Sequence, residues 1–172
     1  MVVAAVGCRE EEGLASLPIR DSKALRPKQR EAIYEILLRD LAVSVVTIDA
    51  AGIDEARRRM SMNDCVADLH ARALMNLKPR SAYVDACDVN AERYGRKVAD
   101  CLDFPCEIIS EHRADARYRI VGAASIVAKV TRDRAIRDLD EEYGNVGSGY
   151  PSDPVTIEFL RGYIRNHGST PP

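Results

Sequence analysis

The chain has 172 residues, of which 46% are hydrophobic and 30% are charged, and its formal net charge is −2. This length suits one core, so we expect a single domain over residues 1–172. The small net charge excludes a global basic field, so any nucleic acid would be attracted by local basic patches. No apolar stretch is long enough to span a bilayer. Five cysteines without C-x-x-C spacing favour reduced thiols over disulfides or a zinc site.

Segments with strand and helix character alternate along the chain. Residues 1–7 are apolar but have no basic segment, so they predict a strand and not a signal peptide. Without targeting signals, we expect a cytoplasmic location. Strands are predicted at residues 2–6, 43–48, 82–85 and 106–110. Helices are predicted at 27–41, 54–77 (one helix or two), 91–102, 117–130, 134–143 and 155–166, with loops at 9–18 and 144–154.

This alternation predicts an α/β fold with a mixed sheet. No glycine-rich nucleotide-binding motif follows a strand, which argues against a dinucleotide site and against a P-loop.

Two aspartates stand where neighbouring elements of such a sheet would meet. Asp85 ends the apolar run at 82–84, and Asp115 precedes the helix predicted from 117. Converging carboxylates repel each other and are costly to desolvate unless a cation lies between them. A divalent metal that prefers oxygen ligands, such as Mg²⁺, would satisfy both. Taken alone, each aspartate could equally be a helix cap or a turn residue.

Two further segments carry groups suited to phosphate. In Asp21-Ser22-Lys23, before a predicted helix, a hydroxyl, backbone N–H groups and an ammonium could hold a phosphate. Ser125, Lys129 and Arg132 fall at helical spacing in a run rich in small residues, which gives that helix one polar, basic face. The alternatives are a plain turn for the first segment and a packed helix with a solvated basic edge for the second.

Residues 147–154 read Gly-Ser-Gly-Tyr-Pro-Ser-Asp-Pro and are dense in turn formers. Tyr150 is held between a glycine and a proline, so its phenol could stack on a sugar or base, or could simply cover the edge of the core. His112 could assist in acid–base chemistry, although a surface histidine is the simpler interpretation. The pair Asp54-Glu55 opens a predicted helix, so we assign it to capping and not to catalysis.

In their order and spacing, these segments resemble archaeal-type ribonuclease HII. The matching segments are Asp21-Ser22-Lys23, Met62-Asn63 and residues 83–89, 111–118, 123–133 and 147–154. The resemblance implies an RNase H-like three-layer fold with a mixed central sheet, in one catalytic domain. It also implies an endonuclease that hydrolyses the RNA strand of RNA–DNA hybrids and cuts at embedded ribonucleotides by two-metal catalysis with Mn²⁺ or Mg²⁺.

The same resemblance implies roles for individual residues. Asp85 and Asp115 match two of the family's four metal-binding carboxylates, and Tyr150 matches the tyrosine that senses the ribose 2′-hydroxyl. Contacts with the nucleic-acid backbone or substrate are assigned to Ser22, Lys23, Ser125 and Lys129. The intact family is expected to be monomeric.

The chain departs from the family pattern at both ends. The family's other two carboxylates are adjacent, on a glycine-rich strand that precedes one resembling residues 1–7, and this sequence has no such pair there. The sequence also ends early relative to the family. We therefore expect a domain without its central first strand, with weak metal binding, impaired cleavage and exposed strand edges that favour self-association. A fragment, or a misassigned start codon at Met1, would explain the departure.

Two other functions stay open. A non-catalytic remnant could bind nucleic acid or a partner through Lys23, Lys129 and Arg132; metal-dependent cleavage of a duplex with a single ribonucleotide would separate it from an enzyme. A different RNase H-like enzyme, such as a resolvase, would need another acidic set and would cut junctions without ribonucleotide preference.

Overall fold

The strands form two ladders in the computed structural model, which describes residues 1–9, 12–19 and 25–171. Strand β1 (Val2–Gly7) is antiparallel to β2 (Ala42–Thr47), and β3 (Ser81–Asp85) is parallel to β4 (Glu107–Glu111). Both pairing directions of a mixed sheet are therefore present. Within the described ranges the two ladders are not hydrogen-bonded to each other.

The helices follow the predicted pattern with three differences. They are α1 (Glu12–Ala15), α2 (Pro27–Asp40), α3 (Ala50–Arg57), α4 (Met62–Met75), α5 (Ala91–Asp100), α6 (Ala114–Arg117), α7 (Arg119–Tyr143) and α8 (Pro154–His167). The segment expected as a loop at 9–18 contains the short α1. The helices expected at 117–130 and 134–143 form the continuous α7, preceded by the separate short α6. In place of the one or two helices predicted at 54–77, the structure has two, α3 and α4, and α3 begins earlier, at Ala50.

The start of α3 corrects one interpretation. The cap is Asp49, whose side chain accepts a hydrogen bond from the Gly52 N–H at 2.7 Å. Glu55 lies further along the helix and pairs with Arg58 and Arg59 at 2.7 and 2.6 Å. The Asp54-Glu55 pair therefore does not cap the helix, and Glu55 forms surface ion pairs instead.

The chain divides into two compact units, Met1–Val130 and Thr131–Pro172, with the boundary inside α7. In the first unit, one core joins β1, α2 and the start of α7 through buried residues that include Leu37, Ile126 and Val127. A second core joins α4, β3 and α5 around the fully buried Tyr94 and Val98. The single domain expected from the sequence stays a prediction.

A cavity of about 560 Å³ lies between the two ladders of the first unit. Every residue of β1 and of β3 lines it, together with His70 from α4 and Ala124 from α7. Open backbone edges and small apolar side chains therefore form its walls.

None of the helices in the described ranges is long and apolar enough to cross a membrane.

Candidate active site

Asp85 is the last residue of β3, and its carboxylate is oriented by the backbone of a neighbouring element. The parallel ladder sets Asp85 opposite Glu111 at the end of β4 and continues with a hydrogen bond from Ala86 N–H to the Glu111 carbonyl at 2.9 Å. Oδ1 of Asp85 accepts a hydrogen bond from the Ala114 N–H at 3.1 Å. The first residue of α6 is thereby tied to the end of β3.

Asp115 lies inside α6, one residue after that tie. The helix begins after Arg113, whose φ of 57° places the backbone in the left-handed region, and ends where Tyr118 returns to an extended conformation. The side chain of Asp115 is buried, and both Asp115 and Asp85 line the cavity between the ladders. The structure therefore brings together the two aspartates that the sequence singled out.

Gly122 allows α7 to pack closely against Asp115. A Cβ added there would lie 2.7 Å from Cγ2 of Ile19 and 3.0 Å from the Asp115 carbonyl oxygen. The lack of a side chain at Gly122 thus lets α7 lie against the backbone of Asp115.

Two of the predicted substrate-binding residues, Ser125 and Lys129, lie on α7. Ser125 lines the cavity that holds Asp85 and Asp115, and the half-buried Lys129 follows one helical turn later. Ser22 and Lys23 lie outside the described residues.

In the second unit, Tyr150 is 52% exposed on a loop whose backbone is fixed by the start of α8. Asp153 caps α8 and accepts hydrogen bonds from the N–H groups of Ser148 at 2.6 Å and Val155 at 3.1 Å. These bonds to the charged carboxylate, led by the one from Ser148, lower the pKa of Asp153 to about 2. Thr156 Oγ1 accepts from Gly149 N–H and donates to the Val146 carbonyl, each at 2.9 Å.

Sequence reasoning missed the polar cluster around Glu111. Its carboxylate forms an ion pair with Arg117 and accepts a hydrogen bond from the Tyr118 hydroxyl at 2.9 Å. The ring of Tyr118 stacks on Tyr83 with centroids 4.1 Å apart, which links α6 to β3. The strand predicted at 106–110 stops one residue before Glu111, so its register with Asp85 was not visible.

Asp88 is buried and His70 is half-buried, and each has a structural partner. Asp88 is 5% exposed and pairs with Arg93, whose hydrogen bonds lower the pKa of this carboxyl to about 2. The His70 ring hydrogen-bonds the Tyr94 hydroxyl at 2.6 Å, and burial lowers the pKa of its imidazole to about 4. His112 is exposed.

The donor set suits a hard divalent cation but is small. Asp85 and Asp115 supply carboxylate oxygens to one cavity. In the part of the chain that the structure describes, no group of three or more histidine, cysteine, aspartate or glutamate residues could hold a metal ion.

Comparison with known proteins gives one consistent result. The family profile of ribonuclease HII matches residues 1–170. A ribonuclease HII from Methanoregula boonei is 51% identical over 172 residues, covering all of this chain and 81% of that protein.

Solved structures agree with this match. Ribonuclease HII in a complex with PCNA from Archaeoglobus fulgidus has a TM-score of 0.91 and 38% identity, covering 99% of this chain and 82% of its own. Bst-RNase HIII in complex with Mn²⁺ has a TM-score of 0.81 and 23% identity, covering 97% and 57%, and this likeness supports the fold alone.

The ladders and their covering helices are those of an RNase H-like α/β fold. The chain belongs to the ribonuclease HII family, whose members are metal-dependent endoribonucleases that act on the RNA strand of RNA–DNA hybrids.

Proposed function

We propose that Asp85 and Asp115 hold the divalent metal, Mg²⁺ or Mn²⁺, with which the chain cleaves the RNA strand. The observation that carries this proposal is that both carboxylates line one cavity, where the Ala114 N–H orients Asp85. When bound, the ion supplies activation of water and stabilisation of the charge that develops on the leaving oxygen. The buried position of Asp115 strengthens its interaction with any cation in the cavity.

We further propose that metal binding and cleavage are weak in this chain, because the described residues supply two carboxylates to the cavity and no larger cluster. The same observation favours a second candidate, a nucleic-acid-binding protein without catalytic activity. Metal-dependent cleavage of a duplex that carries a single ribonucleotide distinguishes the two.

Substrate recognition is proposed for separate parts of the chain. Ser125 and Lys129 contact the nucleic-acid backbone from α7, and Ser22 and Lys23 stay predicted contacts. Tyr150 reads the ribose 2′-hydroxyl, which extends the substrates to DNA with embedded ribonucleotides. Its exposure and its fixed loop support this role. The cytoplasmic location stays a prediction.

Calorimetric titration with Mn²⁺, alongside cleavage of an RNA–DNA hybrid, tests the role of the carboxylates. Asp85→Asn and Asp115→Asn should each remove the binding heat and any metal-dependent cleavage. Asp103→Asn is the matched control, since Asp103 is exposed in the same unit and does not line the cavity.

Unchanged Mn²⁺ binding in both aspartate variants would refute the metal assignment. Binding that is lost in both, without cleavage by the parent chain, would favour the non-catalytic candidate.

A further inference from the structure

Arg132 connects the Tyr150 ring to the backbone of its loop. Its guanidinium carbon lies 3.9 Å from the centroid of the tyrosine ring, and Nη2 donates a hydrogen bond to the Ser148 carbonyl at 2.6 Å. Nη1 lies 3.3 Å from Oδ1 of Asp133. The Arg132 side chain is 25% exposed, whereas Tyr150 is 52% exposed. A largely enclosed cation therefore supports an exposed ring.

The carbonyl that Arg132 contacts has little freedom to move. The N–H groups of Ser148 and Gly149, on either side of that carbonyl, bond to Asp153 and Thr156. Gly149 has a φ of 70°, and a Cβ there would lie 2.6 Å from Cδ1 of Ile136. A left-handed backbone packed this closely accepts only glycine without strain. Because the Ser148 carbonyl cannot move, its hydrogen bond holds the guanidinium of Arg132 in one plane. The Tyr150 ring that stacks on this guanidinium is then held in one orientation.

This arrangement leaves the phenol hydroxyl and one face of the Tyr150 ring available to a ligand. The guanidinium occupies one face of the ring, and within the described residues the phenol hydroxyl has no hydrogen-bond partner. A hydroxyl on a ring of fixed orientation discriminates better than one on a mobile ring, because little rotamer freedom is lost when it binds. The position of Arg132 thus affects selectivity and not only loop stability.

We propose that Arg132 is a positioning residue for ribonucleotide selectivity, holding the Tyr150 ring in the orientation that meets a ribose 2′-hydroxyl. The proposal rests on the function proposed above for Tyr150. It assigns Arg132 no contact with the substrate. Its effect should therefore appear in the preference for ribonucleotides and should depend on the tyrosine hydroxyl.

The test compares the affinities of the full chain for two duplexes of the same sequence, one all-DNA and one with a single ribonucleotide. Fluorescence anisotropy in Ca²⁺ gives both affinities, and gel analysis confirms that the probes stay intact. Arg132→Ala should lower the preference for the ribonucleotide duplex about fivefold, the range expected for loss of a cation–π contact. Arg132→Lys keeps a cation under the ring but loses the fork, so it should restore part of the preference.

Two comparisons separate this role from a structural or purely electrostatic one. Arg161→Ala removes the same charge from an exposed site in the same unit and should leave the preference unchanged. In a Tyr150→Phe background, which keeps the ring and removes the hydroxyl, Arg132→Ala should have no further effect on the preference. Thermal melting of each variant reports loop stability independently.

The outcomes distinguish the inference from the function on which it rests. If Tyr150→Phe does not change the preference, the proposed reading of the 2′-hydroxyl is wrong. If Tyr150→Phe lowers the preference but Arg132→Ala and Arg132→Lys do not, the role of Arg132 alone is wrong. An equal loss of affinity for both duplexes in the Arg132 variants would likewise overturn it.

Discussion

Gly122 sets the distance between α7 and the short helix α6, which carries Asp115. We expect Gly122→Ala to destabilise the chain by about 1–3 kcal/mol, because the added Cβ overlaps Ile19 Cγ2 and crowds the Asp115 carbonyl. For a chain of this size the melting temperature should fall by roughly 3–10 °C. Gly162→Ala in α8 is the control: no atom lies within 4 Å of its added Cβ, so the alanine should stabilise by up to about 1 kcal/mol. Equal effects at the two sites would contradict the packing argument.

His70 gives the folded state a defined dependence on pH. Its pKa falls from the ordinary 6.5 to about 4, so the unfolded chain binds a proton between these values and the folded chain does not. The stabilisation from neutral His70 is complete above pH 6.5 and is lost as the pH falls toward 4. The free energy of unfolding should fall by on the order of 2 kcal/mol over this range. This is less than the full pKa shift would give, because the His70 ring is only half-buried.

His70→Phe should make the melting temperature less dependent on pH between about 4 and 6.5. The same substitution at His167, which is exposed at the end of α8, should leave the curve of melting temperature against pH parallel to that of the parent chain. A His70→Phe curve parallel to the parent curve would show that another group carries the dependence.

At the level of elements, the open edges of β1 and β3 predict self-association. Both strands line the cavity, and in the described ranges each pairs on one side only. Unpaired N–H and C=O groups along such edges can pair with another chain. We expect the apparent mass in size-exclusion chromatography with light scattering to rise with protein concentration. Ser81→Lys, which adds a charge to an exposed position at the start of β3, should reduce the associated fraction.

Ser169→Lys adds the same charge at an exposed position of the second unit, which contains none of the described strands, and should not change the associated fraction. A monomer at every concentration would contradict the prediction from the open edges.

The sequence predicted the regular elements well, because their signals are local. Apolar runs gave the four described strands to within a residue or two at either end, and helical periodicity gave α2, α5 and α8. It missed the start of α6 and its separation from α7, because neither the left-handed Arg113 nor the extended Tyr118 carries a glycine or proline signal. The convergence of Asp85 and Asp115 could be expected from their places at element ends. The pairing of Glu111 with Asp85 and the contact of Arg132 with Tyr150 could not be expected, since the first depends on strand register and the second on loop geometry.

At the scale of the whole molecule, the charge of the chain limits how it can attract nucleic acid. With 25 basic and 27 acidic residues, long-range attraction is weak and binding must rest on a few local cations. Each phosphate contact contributes about −0.9 to the slope of log affinity against log salt. We therefore expect a shallow slope of about −2 to −4 for the ribonucleotide-containing duplex, measured by fluorescence anisotropy at several KCl concentrations.

Lys129→Ala should make this slope less steep by about one unit and weaken binding similarly for all sequences, as loss of one phosphate contact predicts. Arg39→Ala removes the same charge from an ion pair with Asp40 at the end of α2 and should leave the slope unchanged, because weak global attraction gives distant charges little influence. Equal changes in both variants would mean that net charge governs binding. An unchanged slope in Lys129→Ala alone would remove that residue from the proposed backbone contacts.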